Sequence, residues 1–314
     1  MNPPFEITSN ILNLIDEISK EIAKIEILNK NIITPKLRKV SQIKTIASSL
    51  QIEGNTLDEE KITAILEGKR VLATFKELAE VNGAIKVYEN IDNFNYKSLD
   101  DFLLAHKYLM GEVLKDAGSF RGSNVGVVTS SGVSHIAPPP IQVPTLMNNL
   151  FKWLKTTTDN KLLISSIAHY EIEFIHPFSD GNGRIGRLWQ NIILNSYSEV
   201  FKYIPIEELI RQNQQEYYKA LEISDNEGNS NYFNEFMLNI ILQSIKKFKS
   251  NQKSNQKSNQ KILNLIKNDK YITIEELSQK TNLSTSGVKK IIKKLKEQNR
   301  LKRVGKKGGY WVVL

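Results

Sequence analysis

His176, Asp180, Asn182, Arg184 and Arg187 fall inside one run of twelve residues, "HPFSDGNGRIGR", which supplies a base, a hard oxygen ligand and two fixed cations. A histidine that titrates near neutrality can take a proton from an attacking hydroxyl. A carboxylate such as Asp180 suits a Mg²⁺ ion that bridges phosphate oxygens. Two guanidinium groups three residues apart on a helix can reach two phosphates of one nucleotide. Gly181 and Gly183 let backbone N–H groups approach a ligand closely. The spacing of Ile185, Leu188, Trp189, Ile192 and Ile193 predicts a helix that begins near Asn182 or Gly183, with both arginines off its apolar face. Its first turn then aims unpaired N–H groups and the positive end of the helix dipole at an anion. The run reads as a polyphosphate held beside a base. The overlapping "HYEIEFIH" also offers His169, Glu173 and His176 to a metal, but it lacks the two-histidine spacing of helical zinc sites and has no thiolate support.

The elements that position this run are mostly helical. "ILNLIDEISKEIAKIEIL" (Ile11 to Leu28) has apolar residues at three- and four-residue spacing, as do 74–90, 141–154, 206–223 and 232–248. The exception is "FRGSNVGVVTSSGVSHIAPPP" (Phe120 to Pro140), whose glycines, serines, β-branched residues and final prolines predict a β-hairpin flap.

The 314 residues are enough for two domains. "SNQKSNQKSNQK" (Ser250 to Lys261) repeats a polar unit three times and predicts a solvated linker or a helix extension. Charge changes at the same place. Residues 250–314 hold 16 Lys and Arg against 4 Asp and Glu, a net +12, whereas the preceding 249 hold 27 against 30. After the linker, Thr273 and Glu276 fit a helix-opening capping box, and a second helix carries Val288, Ile291, Ile292 and Leu295 on one face with lysines off it. "RLKRV" and "GYWVVL" predict two strands around the turn Gly305 to Gly308. Helix, turn, basic helix and hairpin over 262–314 resemble a winged helix-turn-helix; such a face can also be a solvated surface or a protein-interaction module, and the +12 charge with the basic turn favours DNA through Lys289, Lys290, Lys293, Lys306 and Lys307. The chain has no cysteine, no membrane-length apolar run and no secretory pattern in "MNPPFEITSN", so a cytoplasmic protein without a membrane partner is expected.

"HPFSDGNGRIGR" resembles the Fic-domain signature, His-x-Phe-x-Asp/Glu-Gly-Asn-Gly-Arg-x-x-Arg, with every specified position matched. The resemblance extends over about residues 36–245 and includes "GSFRGSNVGVV" and "SHIAPPP". It implies a mainly α architecture: an N-terminal helical region over 1–110, a Fic core over 111–248 with its flap at 118–140, the linker at 249–261 and the winged helix-turn-helix. It also implies transfer of AMP from ATP to a hydroxyl side chain of a target protein, with release of pyrophosphate. Residue by residue, His176 is then the general base and Asp180 holds Mg²⁺. Asn182, with the backbone of Gly181 and Gly183, holds the α-phosphate. Arg184 and Arg187 take the β- and γ-phosphates, and Phe178 is a buried anchor. Tyr217, Tyr218 and Asn226 are the candidates beside adenine and ribose, with a spacing one residue looser than the family's. Gly132, Val133, Ser134 and His135 of the flap border the nucleotide, and the flap can pair with an extended target segment. Family members that act as kinases carry a bulky basic residue where Gly183 stands, so this glycine favours nucleotidyl transfer.

A second motif lies upstream in "SSLQIEGN" (Ser48 to Asn55). Ser49 and Glu53 are four apart on one helix face and, with Gly54, resemble the Fic inhibitory motif Ser/Thr-x-x-x-Glu-Gly/Asn, on a helix expected at about 36–55. A carboxylate paired with Arg187 occupies the place of the γ-phosphate, and a misplacement of about 1 Å can lower the rate on the order of 10²-fold. In some members this glutamate also positions water for removing AMP. Alternatives left open are a DNA-binding regulator that senses nucleotide, another nucleotide donor, auto-modification near the flap, and relief of Glu53 by target binding or by rearrangement of a homodimer.

Overall fold

Capping residues written into the sequence start most of the helices that carry the candidate site. The computed structural model describes residues 2–28, 34–129, 132–305 and 308–314, and describes backbone alone for 126–129, 132–136 and Gln256. After α1 (Ser9–Leu28), α2 (Pro35–Ile52) begins with Pro35 in its first turn and Thr34 accepting from Leu37 N at 3.2 Å. It ends where Gly54 adopts φ +87°. A short α3 (Glu59–Leu66) leads to α4 (Phe75–Glu89), opened by a capping box between Thr74 and Glu77. Ser98 caps α5 (Leu99–Met110).

The segment predicted as a flap forms β1 (Gly126–Thr129) and β2 (Gly132–Ile136), antiparallel with Gly126 opposite Ile136 and a register shift between Val127 and Val128. It leads into α6 (Val143–Thr156), then α7 (Lys161–Ile175), which is capped by Asn160, and α8 (Asn182–Tyr197). Both α7 and α8 are buried almost all round, which makes this pair the centre of the first unit. Ile167, Ile172, Ile185, Leu188 and Ile193 fill the space between them and their neighbours. Phe102 meets the rings of Phe151, Phe178 and Trp189, and Phe151 meets Trp189, with ring centroids 5.1–5.9 Å apart. Truncating one buried Ile or Leu here to Ala costs about 2–5 kcal/mol. The first unit, which ends at Lys246, closes with α9 (Ile206–Gln212), α10 (Gln214–Glu227) and the first part of α11 (Asn231–Asn268).

The second unit runs from Lys247 to Leu314. The SNQK repeat is helical here, part of α11, so the extension expectation describes it and the free-linker one does not. Ile262, Leu263 and Ile266 of that helix pack with Leu277 of α12 (Ile274–Thr281) and with Val288, Ile292 and Leu295 of α13 (Thr285–Glu297). The Thr273–Glu276 capping box is formed. Then β3 (Leu301–Val304) and β4 (Tyr310–Val313) pair antiparallel, Leu301 opposite Val313, and Trp311 joins the core. No helix among the described residues is long and apolar enough to cross a membrane.

Candidate functional site

The run from His176 to Arg187 is a turn braced on both sides and followed by a helix end. His176 closes α7 in the left-handed region, φ 51° and ψ 60°, a conformation that costs a non-glycine residue on the order of 1–3 kcal/mol. Arg121 holds that turn. Its Nε donates to His176 O at 2.7 Å, its Nη2 to Pro138 O at 2.6 Å and its Nη1 to Ser123 O at 2.8 Å, while its own N–H donates to Pro177 O at 3.0 Å. The segments before and after the hairpin and the turn are thereby tied to one buried guanidinium. His176 Nδ1 meets the Glu173 carbonyl at 3.3 Å; a carbonyl only accepts, so the neutral ring carries its lone pair on Nε2.

The loop is braced from beneath by His106, which no sequence pattern marked. Its ring stacks on Phe178 with centroids 3.5 Å apart. Gly118 N–H donates to Nδ1 at 2.9 Å, which fixes the proton on Nε2, and Nε2 donates to Asp180 O at 3.0 Å. Burial, with a smaller effect from Arg184, pushes the imidazole down to about 4, so it is neutral near pH 7. Gly181, at φ +86°, passes so close to this brace that a Cβ would lie 2.9 Å from Met110 and 3.2 Å from His106 Nε2.

From Gly181 the chain turns into α8 with no side-chain cap, which leaves the first-turn N–H groups for an anion. Asn182 is the first residue of that helix. Its amide accepts from Phe178 N at 2.9 Å and donates to Phe178 O at 3.0 Å, which closes the loop. Asp180 Oδ1 accepts from Gly181 N at 2.6 Å and from Arg184 Nη2 at 3.0 Å. Its side chain is 44% exposed, and one carboxylate oxygen beside a phosphate nest fits a hydrated Mg²⁺ held chiefly by nucleotide.

Both arginines lie off the Ile185–Leu188 face, as the spacing predicts, yet both are buried, because α2 and α4 cover that side of α8. Arg184 donates to Glu80 Oε1 on α4 at 3.0 Å. Arg187 donates through Nε to Ser49 Oγ at 3.1 Å, and through Nη2 to Ser49 O at 3.1 Å and to Glu53 Oε1 at 2.7 Å. Burial opposes the Arg187 charge, but Glu53 and the charges behind it raise its pKa above the ordinary arginine range. A Cβ on Gly183 would lie 2.5 Å from Glu53 Oε1 and 3.0 Å from Arg187 Nη1, so the glutamate fills the cradle that this glycine leaves open.

Of the residues expected beside the base, Tyr218 is 37% exposed, and its hydroxyl accepts from Gln214, which also donates to Ile52 O at the end of α2. Asn226 is exposed on the last turn of α10. Tyr217 departs from the expectation. It is fully buried, donates to Glu173 Oε1 at 2.9 Å and meets His169 Nε2 at 3.0 Å, so it supports the site from the core. Burial raises the Glu173 carboxyl, but the hydrogen bond and charge of His169, then His176 and Arg187, outweigh it and hold the group at about 2. Among the flap residues, Gly132 starts β2, which lies against α10; Val133, Ser134 and His135 have backbone positions in that strand, and their side chains fall outside the description. In the second unit Lys289, Lys290 and Lys293 are exposed on α13, and Lys306 and Lys307 lie outside the described residues.

Similarity to known proteins agrees with this geometry. Residues 96–194 match the Fic/DOC family, and residues 256–302 match a winged helix-turn-helix DNA-binding family. The chain is 30% identical over 230 residues to the protein adenylyltransferase Fic of Aedes aegypti, covering 69% of this chain and 44% of that protein. With the Culex quinquefasciatus protein of the same name it shares 31% identity over 211 residues. The chain thus spans less than half the length of these curated relatives. Among solved structures, Fic-1 from C. elegans shares the fold with a TM-score of 0.62 at 23% identity, covering 78% of this chain and 72% of that one. A Fic family protein from Desulfovibrio desulfuricans G20 superposes with a TM-score of 0.78 at 34% identity, covering 100% of this chain and 98% of that one. With its signature turn, its buried arginine pair and a relative matched from end to end, this chain belongs to the Fic family.

Proposed function

We propose that the chain is a self-inhibited protein adenylyltransferase that moves AMP from ATP to a hydroxyl side chain of a protein. The observation that carries this reading is the convergence of His176, the uncapped start of α8 and Arg187 around one cradle, with Glu53 seated in it at 2.7 Å from Arg187. The triphosphate lies along the α8 N-terminus, with the α-phosphate against the first-turn N–H groups and the outer phosphates toward Arg184 and Arg187. His176 Nε2 takes the proton of a Ser, Thr or Tyr hydroxyl. As the new O–P bond forms at the α-phosphorus, its bond to the bridging oxygen breaks and pyrophosphate leaves. Mg²⁺, when bound through Asp180, neutralises charge on the phosphates. Glu53 competes for Arg187 with the outermost phosphate, so the resting chain turns over slowly.

The test uses ATP labelled at the α- or the γ-phosphate, with Mg²⁺, on wild type, Glu53→Gly and Glu53→Gly/His176→Ala. Expected is α-label on protein, increased about 10²-fold by Glu53→Gly and reduced by about 10²- to 10⁴-fold when His176 is also removed. Transfer of γ-label, or of neither label in a cell lysate, overturns the reading.

A second activity is favoured by a separate observation: the lysine-bearing face of α13 in a unit that matches a DNA-binding family. On this reading the second unit contacts the phosphates of duplex DNA through Lys289, Lys290 and Lys293.

A further inference from the structure

Arg184 reaches a carboxylate that belongs to no motif. Glu80 Oε1, on α4, accepts from Arg184 Nη1 at 3.0 Å, and the other oxygen, Oε2, accepts from Asn55 Nδ2 at 2.9 Å. Asn55 lies two residues beyond Glu53, immediately after the glycine that ends the inhibitory helix. All three side chains are buried, with Arg184 4%, Glu80 6% and Asn55 6% exposed. Asn55 is fixed further by donation to Glu77 O at 3.3 Å and by accepting from Leu57 N at 3.0 Å. Toward the surface, Lys76 Nζ stands 4.0 Å from Glu80 Oε1. One buried carboxylate therefore bridges the first arginine of the signature to the segment that carries Glu53, with one oxygen for each.

We propose that Glu80 is the positioning residue for Arg184 and couples its availability for phosphate to the seating of Glu53 through Asn55. The inference rests on the triphosphate reading of the cradle given above. Arg184 is held between Glu80 and Asp180, and its Nε has no hydrogen-bond partner among the described residues. A phosphate oxygen that takes the open Nε–H of this guanidinium competes with Glu80 for its charge. That carboxylate keeps Asn55 and, toward the surface, Lys76, while the arginine end of the bridge to the segment after Glu53 is weakened. In the other direction, a seated Glu53 keeps Asn55 on Glu80, and Glu80 on Arg184. Glu80 is thus a competitor for Arg184 and one negative charge against the triphosphate. Removing that charge tightens binding of a polyphosphate, whereas losing a merely structural support weakens it, so the sign separates the two roles.

The experiment titrates Mg·ATP and AMP, by calorimetry, into full-length Glu53→Gly and Glu53→Gly/Glu80→Gln, with thermal unfolding of each as the check on folding. Expected is a Kd for Mg·ATP about tenfold lower with Glu80→Gln. AMP, which lacks the outer phosphates, should change by less than about twofold. Unchanged or weaker Mg·ATP binding in a folded double variant overturns the role of Glu80. Failure of Glu53→Gly itself to bind Mg·ATP overturns the triphosphate reading and the inference with it. Should Glu80→Gln fail to fold, Asn55→Ala in the otherwise unaltered chain keeps the Glu80–Arg184 pair and cuts the bridge. It should tighten Mg·ATP severalfold, and no change rejects the coupling.

Discussion

His176 in the signature turn and His106 beneath it have different tasks because their hydrogen bonds differ. His176 donates from Nδ1 to a carbonyl, which puts the lone pair on Nε2, whereas His106 accepts at Nδ1 and donates from Nε2 as a strut under Asp180. The depressed pKa of His106 makes a stability prediction. The folded state prefers the neutral ring, so its contribution is fully present above the ordinary value of 6.5 and is lost as pH falls toward about 4. Over that window the loss amounts to about 3 kcal/mol. Urea unfolding of wild type at pH 6.5 and 4.5 should show a fall that His106→Gln largely removes; an equal fall in both would refute the assignment.

At the scale of elements, α2 is held more firmly than inhibition alone requires. Ile43, Ile46, Ala47 and Leu50 are buried beneath it, and it packs on α9 and α4, so Glu53 is presented by a helix anchored along its length. Substitution Leu50→Ala removes a side chain that is 1% exposed. It should destabilise the protein by about 2–5 kcal/mol and raise the resting rate of α-label transfer, since the cavity lies beside Ser49 and about one turn before Glu53. Amide exchange should quicken along α2 before it does along α7. A slower transfer rate, with exchange unchanged in α2, would contradict this. The same logic explains the Arg121 turn: a strained His176 backbone persists because four carbonyls converge on one arginine.

On the scale of the whole molecule, charge divides the labour. The unit that bears the cradle belongs to a slightly acidic stretch, and the last 65 residues hold a net +12. If α13 binds duplex phosphates, affinity falls steeply with salt, with log K against log [salt] sloping by about −0.9 per phosphate contacted. Lys289→Ala/Lys290→Ala/Lys293→Ala should make that slope shallower by about 2–3 while leaving Mg·ATP binding to the Glu53→Gly background unchanged. A slope near zero in the unaltered chain would exclude the phosphate-contact reading.

How much of this was legible beforehand depended on the range of each interaction. Local patterns were: the α8 start at Asn182, the Ser49–Glu53 face, the flap hairpin and the capping box at Thr273 are set by spacings of two to four residues, which the sequence alone determined. The SNQK repeat left linker and helix extension undecided, because a polar run has no apolar face to settle the matter, and helical neighbours did so. Contacts between distant segments were decided only in three dimensions. Glu80 and Arg184 are 104 residues apart, Arg121 and His176 are 55, and Tyr217 and Glu173 are 44. No periodicity records such pairs. They arise because α4 covers Arg184 of α8, α10 covers Glu173 of α7 and the segment before β1 reaches the end of α7, and a buried charge or amide must find its partner wherever the fold brings one.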